Sequence, residues 1–271
     1  LLHFQFVSAM YVDSHCHLND SSLRHQLGTI REAMAQAQVD RALIVSTTLE
    51  EFDEVHALAL QYDNFWATVG LHPDPDTDDA REATLPELVA LGSLPRVLAV
   101  GETGLDYYRL EGRSIADMEW QRDRFRTHIR AARQLGKPLV IHTRSASDDT
   151  LAILREEGED GSTGAAGGVF HCFTETEAVA RAALELGFYI SFSGIVTFKN
   201  AQHLRDVARW VPADRLLIET DSPYLAPVPY RGKVNTPAWV PFVAQQLAEV
   251  RGESVEHIAE VTSANFDRLF H

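Results

Sequence analysis

The sequence predicts a single-domain (β/α)8 TIM barrel of the α/β class. Three observations point there. Eight short β-rich runs alternate with longer stretches of helical periodicity. Most of those runs are almost continuously apolar, as parallel strands covered on both faces must be. The length, 271 residues, suits one such barrel. The competing arrangement of the same elements is an open, doubly wound sheet.

The first strand is residues 11–15, and Leu23, Leu27, Ile30, Met34 and Ala37 follow at helical spacing. The second strand is 42–46 (ALIVS), before a helix with Phe52, Val55, Ala59 and Tyr62 on one side. The third is 65–70 (FWATVG), with a helix around 85–91, and the fourth is 97–101 (VLAVG). A long helix carries Phe125, Ile129, Ala132 and Leu135 and should stop at Gly136. The fifth strand is 138–142 (PLVIH), with a helix near 148–157. The low-complexity stretch 158–168 (GEDGSTGAAGG) leads into a strand and reads as a flexible loop on the side away from the chemistry. Residues 169–171 end the sixth strand, with 175–186 helical. The seventh strand is 188–192 (FYISF), before a helix with Leu204, Val207, Ala208 and Val211. The eighth is 215–219, and helices over 237–250 and 254–270 close the chain. Residues 10–271 form the barrel domain in this reading. Residues 1–9 (LLHFQFVSA) are an extension without assigned role, too short and lacking the basic segment of a signal peptide.

Composition narrows the function. A formal charge of −15 disfavours a protein that coats nucleic acid non-specifically, but not an enzyme with a local positive site. The acidic run 74–82 (DPDTDDARE) reads as a solvated loop and helix start. No apolar run is long enough to span a membrane, and nothing suggests an obligate protein partner. The two cysteines, Cys16 and Cys172, each adjoin strand-end histidines and read as small buried residues on the faces opposite them. With no disulfide framework, the expected location is cytoplasmic.

In a barrel the chemistry lies at the C-terminal ends of the strands. Five of the twelve histidines fall there: His15, His17, His72, His142 and His171. Glu102 and Glu219-Thr220-Asp221 arrive at the same end. Residues two apart on a strand point the same way, so His15 and His17 aim together and Cys16 aims away. So many ionisable groups at one mouth need a compensating charge, and a divalent cation supplies it. The set of nitrogen and oxygen ligands suits two divalent ions roughly 3.5–4 Å apart. His15, His17, Glu102 and Asp221 are assigned to one ion; Glu102, as a bridge, His142 and His171 to the other. Imidazole suits zinc, and carboxylate and water suit magnesium or manganese.

The motifs DSHCHL (13–18), GLHP (70–73), GETGLDYY (101–108), IHTR (141–144), FHCFT (170–174) and RLLIETDSPYLAP (215–227) continue this pattern. With GFYISFSGIVTFKNA (187–201), RGK (231–233) and NF (265–266), the chain resembles the TatD family of metal-dependent deoxyribonucleases nearly throughout. The resemblance implies a two-metal barrel that hydrolyses DNA phosphodiesters. It carries ligand roles onto His15, His17, Glu102, His142, His171 and Asp221. The departures are Asn19-Asp20 after the His-Leu, Glu175 after FHCFT, and Lys233-Val234-Asn235-Thr236 before Pro237. None removes a ligand.

Asp221 and Glu102 are the catalytic candidates, Asp221 as ligand and general base to a water acidified by the ions. Glu219, on the same face as Asp221, is expected to support the ligands. Arg144, Lys199 and Arg231 follow strands at the same rim and, with His72, are the candidate phosphate-binding residues. Tyr107, Tyr108 and Tyr224 are candidates for base stacking or for plain packing at the mouth. The expected substrate is DNA, attacked as a 3′–5′ exonuclease on single strands, with RNA or tRNA as other substrates. The alternative keeps the site and changes the bond, to an ester or amide hydrolase such as a D-aminoacyl-tRNA deacylase.

Overall fold

The computed structural model describes residues 10–74 and 80–271. The extension 1–9 and part of the acidic run 74–82 lie outside the described residues. Eight parallel strands pair in sequential order: β1 (Tyr11–Cys16), β2 (Val39–Ile44), β3 (Phe65–Val69), β4 (Val97–Asp106), β5 (Leu139–Arg144), β6 (Gly168–Phe170), β7 (Tyr189–Phe192) and β8 (Leu216–Ile218). Helices α1 (Leu27–Gln36), α2 (Phe52–Gln61), α3 (Leu85–Gly92), α4 (Glu119–Leu135), α5 (Ser147–Glu156), α6 (Glu177–Glu185) and α7 (Gln202–Trp210) fill the connections between strands. α8 (Val240–Arg251) and α9 (Val255–Phe270) end the chain.

The edges meet. Cys16 bridges to Ser222, His17 N–H donates to Ser222 O (2.8 Å), and Asp221 N–H donates to His15 O (2.9 Å). Sequential order with joined edges is the TIM barrel, not the open sheet.

Apolar residues on alternate positions of a strand serve two cores. Val12, Leu43, Val45, Ala99, Val140, Val169 and Leu217 fill the barrel interior, where Phe266 and Phe270 of α9 join them. Their neighbours Tyr11, Ala42, Ile44, Leu139, Ile141, Phe170, Leu216 and Ile218 face the helices. Each strand is therefore apolar on both sides, which is why the sequence shows runs rather than alternation.

Several boundaries move by a few residues, β2 to Val39–Ile44 among them, and three features differ more. β4 does not stop at Gly101 but continues through Glu102 to Asp106, pairing Gly104 with His142 and Asp106 with Arg144. Gly104 makes this possible: at φ +136°, a Cβ there would sit 1.9 Å from His142 O. The first helical pattern begins as a 3-10 turn, Arg24–Gln26, before α1. The stretch 158–168 enters β6 from α5, on the expected side, but is tied down. Buried Glu159 accepts N–H bonds from Ala166 (3.0 Å) and Gly167 (2.8 Å) and pairs with Arg133 (3.0 Å).

Candidate metal centre

A cavity of about 820 Å³ opens at the C-terminal ends of the strands, lined among others by His17, Glu102, His142, His171 and Asp221. Simple alternation delivers two of its side chains: Val140 is interior, so His142 is too, and Val169 is interior, so His171 is. β1 and β4 reach the site differently. Val12 faces the interior but Cys16, at the same parity, faces the helices, because the register shifts between Asp13 and Cys16. That irregularity turns His15 and His17 into the mouth. β4 shifts register between Val100 and Thr103 and so aims Glu102 inward. Asp221 holds a left-handed conformation (φ 56°) at the barrel seam. Such strain in a non-glycine residue persists where the surroundings hold it.

Glu102 is the hub. Its Oε2 lies 3.3 Å from His15 Nε2 and 3.9 Å from His17 Nε2. Its Oε1 lies 2.9 Å from His171 Nε2, 3.2 Å from His142 Nδ1 and 3.4 Å from His72 Nε2. Asp221 Oδ1 adds contacts to His17 Nε2 (3.4 Å) and His15 Nε2 (3.6 Å). Ligand atoms converge within 4.8 Å in three sets: His15, His17 and Glu102; His15, His171 and Asp221; and His72, Glu102 and His142. His72, expected at a phosphate-binding rim, is thus part of the cluster. His171, expected with His142, also stands against His15, ring on ring at 3.9 Å.

For His17, His142 and His171 the partner on the far side of the ring fixes the tautomer. His17 Nδ1 faces Val45 O (3.0 Å), which only accepts, so Nδ1 donates and Nε2 keeps its lone pair. His142 Nε2 faces Asp106 Oδ2 (2.9 Å) and His171 Nδ1 faces Glu219 Oε1 (3.2 Å). Both rings then turn lone pairs toward Glu102 Oε1. His15 Nε2 and His17 Nε2 approach to 3.2 Å. Lone pairs meeting carboxylate oxygens at hydrogen-bond distance require positive charge between them, either protons or a metal cation. The residues therefore fit divalent cations.

The acid-base balance carries the same demand. Burial opposes charge on His17, but Asp221 and Glu102 outweigh it and raise its pKa to about 9. Burial likewise opposes charge on His171, and Glu102 and Glu219 reverse it. Burial disfavours ionised Glu102, yet His171, His72, His142 and His15 hold it well below the usual carboxylate range. His72 goes the other way: burial, then His142, push it down to about 4. Its Nδ1 accepts Asp74 N–H (3.0 Å), so the neutral ring carries its proton on Nε2, toward the cluster.

Two supporting carboxylates escaped sequence reasoning. Asp106, on the extension of β4, orients His142. Buried Asp13 accepts from Thr220 N (2.9 Å) and Thr220 Oγ1, and from His15 N (3.3 Å), locking β1 to the segment carrying Asp221. The Asp of DSHCHL and the YY-flanked Asp of GETGLDYY stood inside the quoted motifs, the only sequence signal for either.

The phosphate candidates separate. Arg144 lines the cavity with its guanidinium 3.6 Å over the exposed Tyr108 ring. Lys199 and Arg231 are not among the cavity-lining residues: Lys199 borders a separate depression, and Arg231 lies over the Phe198 ring at 3.5 Å. The long β7–α7 and β8–α8 connections carry them past the mouth. Arg24 lines the cavity instead, paired with Glu54 (3.3 Å). Cys16 is fully buried as expected, but Cys172 lines the cavity with Sγ 3.2 Å from Ser193 Oγ, because its positive φ (40°) turns it out of strand alternation. Tyr107 is buried and bound to Asp149 (2.7 Å), a packing role; Tyr224 is half exposed at the cavity.

Comparison with known proteins identifies the family of the chain. The family described as "TatD related DNase" matches residues 12–271. The chain is 48% identical over 268 residues to the uncharacterized metal-dependent hydrolase YcfH of Escherichia coli K12, covering 96% of this chain and 95% of that one. It is 36% identical over 239 residues to the 3′-5′ ssDNA/RNA exonuclease TatD of Citrobacter rodentium, covering 86% and 88%. The crystal structure of YJJV, a TatD homologue from Escherichia coli K12, superposes with a TM-score of 0.85 at 28% identity, covering 97% and 98%. Among the described residues no helix is long and apolar enough to cross a membrane. A match across the barrel in sequence and fold makes this chain a member of the TatD family of metal-dependent hydrolases.

Proposed function

We propose that the chain is a nuclease that hydrolyses phosphodiester bonds of single-stranded DNA from the 3′ end, using two divalent cations (magnesium, manganese or zinc). The observation that carries this reading is Glu102, whose two oxygens each face a separate group of imidazole lone pairs. The printed activity of the Citrobacter relative supports the substrate and polarity. Residues His15, His17, Glu102, His142, His171 and Asp221 would hold the cations. Bound there, the cations supply Lewis acidity to a water and to phosphate oxygens.

The chain's own groups do the rest. Asp221 borders the cavity and takes the proton of the attacking water at Oδ1. Glu102, held ionised, keeps both halves of the centre in register. His72 presents Nε2–H to a phosphate or leaving oxygen. Arg144, propped on Tyr108, offers a cation to the phosphate at the mouth. Two free thiols fit a reducing compartment, and we place the protein in the cytoplasm.

The test is end-labelled single-stranded DNA and RNA, blocked at either end, incubated with each metal. Stepwise shortening that a 3′ block stops is the expected result, abolished in Asp221→Asn. DNA left intact with magnesium, manganese and zinc contradicts the reading. Release of the amino acid from charged tRNA, without DNA cleavage, would move the reaction to an ester.

A further inference from the structure

Most arginines of this acidic chain sit beside a carboxylate: Arg41 with Asp267, Arg81 with Glu87, Arg130 with Glu157, Arg181 with Glu177. Arginines elsewhere, Arg96 and Arg144 among them, also lack an ion pair, but one face gathers four such cations. Lys199 on the β7–α7 connection, Arg205 on the first turn of α7, and Arg231 and Lys233 on the β8–α8 connection make no ion pair among the described residues. The chain has only three lysines. Lys137 is consumed by the carbonyls of Gly92 and Val97, so both remaining lysines lie on this face, exposed.

The face is built, not a scatter of mobile side chains. Arg205 is fixed by the carbonyls of Val196 (2.9 Å), Phe198 (2.8 Å) and Lys199 (3.3 Å). Arg231 lies over the Phe198 ring at 3.5 Å and Lys233 over the Tyr230 ring at 5.5 Å. Thr197, Phe198, Lys199, Arg205 and Arg209 line a depression of about 510 Å³; Glu249 is also in the wall, and Arg209 pairs with Asp206. One 3-10 turn, Gly194–Thr197, separates the depression from the metal cavity. Ile195 of that turn lines the cavity, and Thr197 lines the depression.

We propose that this face binds the phosphate backbone of a single nucleic-acid strand where it leaves the cavity, beyond the nucleotides held at the metal centre. The proposal rests on the nuclease reading for its partner. Uncompensated cations in an otherwise acidic protein concentrate an anion locally. Cations interleaved with rings suit a strand, whose phosphates meet the charges and whose bases meet the aromatic faces. An acidic peptide would use the charges alone.

The test is fluorescence anisotropy of labelled dT20 and dT3 with the metal-free full-length protein across a salt series. The variant is Lys199→Glu/Arg231→Glu/Lys233→Glu, leaving Arg205, which stitches the backbone. A charge-matched control, Arg81→Glu/Arg130→Glu/Arg181→Glu, alters arginines from other faces. We expect the variant's Kd for dT20 to rise at least about tenfold, and the slope of log affinity against log salt to become shallower by about 2, since each single-strand phosphate contact contributes about 0.7. The control should lose far less, and dT3 should discriminate little between the proteins. Wild-type affinity for dT20 in the variant, an equal loss in the control, or capture of polyglutamate in preference to dT20 overturns the proposal. If the glutamate variant melts early, the triple alanine variant carries the same test with the same expected change in slope. Binding through this face without cleavage refutes the nuclease reading alone; cleavage with an unchanged variant refutes this face alone.

Discussion

His128 connects the stability of the barrel to the strand end that carries His72. It is fully buried on α4, where its Nδ1 donates to Arg124 O (2.8 Å) and its Nε2 accepts Leu71 N–H (3.0 Å). The second bond needs the neutral ring, since a protonated Nε2 cannot accept. Burial depresses its pKa from 6.5 to about 4. Between those values the unfolded chain binds a proton that the folded chain refuses, so stability rises with pH there. The contribution is complete above the unfolded value and is lost as pH falls. From the two pKa values the loss is about 1.4 kcal/mol near pH 5.5 and about 2.5 kcal/mol near pH 4.5. Urea unfolding of wild type and His128→Gln from pH 7.5 to 4.5 isolates it, because glutamine can make both bonds without titrating. The gap between the two curves should close toward low pH by about those amounts. Parallel curves across the range would refute the reasoning.

Asp106→Ala removes the acceptor that fixes the His142 tautomer and should weaken metal binding roughly 10- to 100-fold, read by titration calorimetry. Gly104→Ala places a Cβ 1.9 Å from His142 O at a φ that alanine resists, and should cost about 2 kcal/mol or more by chemical denaturation. Glu159→Ala strands the N–H groups of Ala166 and Gly167, so stability should fall by about 2 kcal/mol and limited proteolysis should cut faster within residues 158–168.

The parts legible in the sequence are those governed by strand alternation. Val140 and His142, and Val169 and His171, keep a period of two from interior to mouth, so the apolar run tells where the ligand points. His15, His17 and Glu102 were found as residue types at strand ends, but their orientation depends on register shifts in β1 and β4 that no period announces. β4 runs past the expected end at Gly101 because Gly104 allows close approach to β5, a contact that the apolar run does not show. Asp13 and Asp106 were hidden because their partners lie 207 and 36 residues away. Lys199 and Arg231 were misplaced for a related reason: a position after a strand does not fix how far a long connection travels before its side chain emerges.

The claim that organises the rest is that Glu102 joins two cation sites. Metal content after equilibration with manganese and removal of free ion, measured by elemental analysis on wild type and Glu102→Gln, tests it most directly. The proposed two-cation centre predicts two ions per wild-type chain and a loss of both on neutralising the shared carboxylate. A wild-type protein that retains no metal, or a Glu102→Gln protein that still retains two, would contradict it.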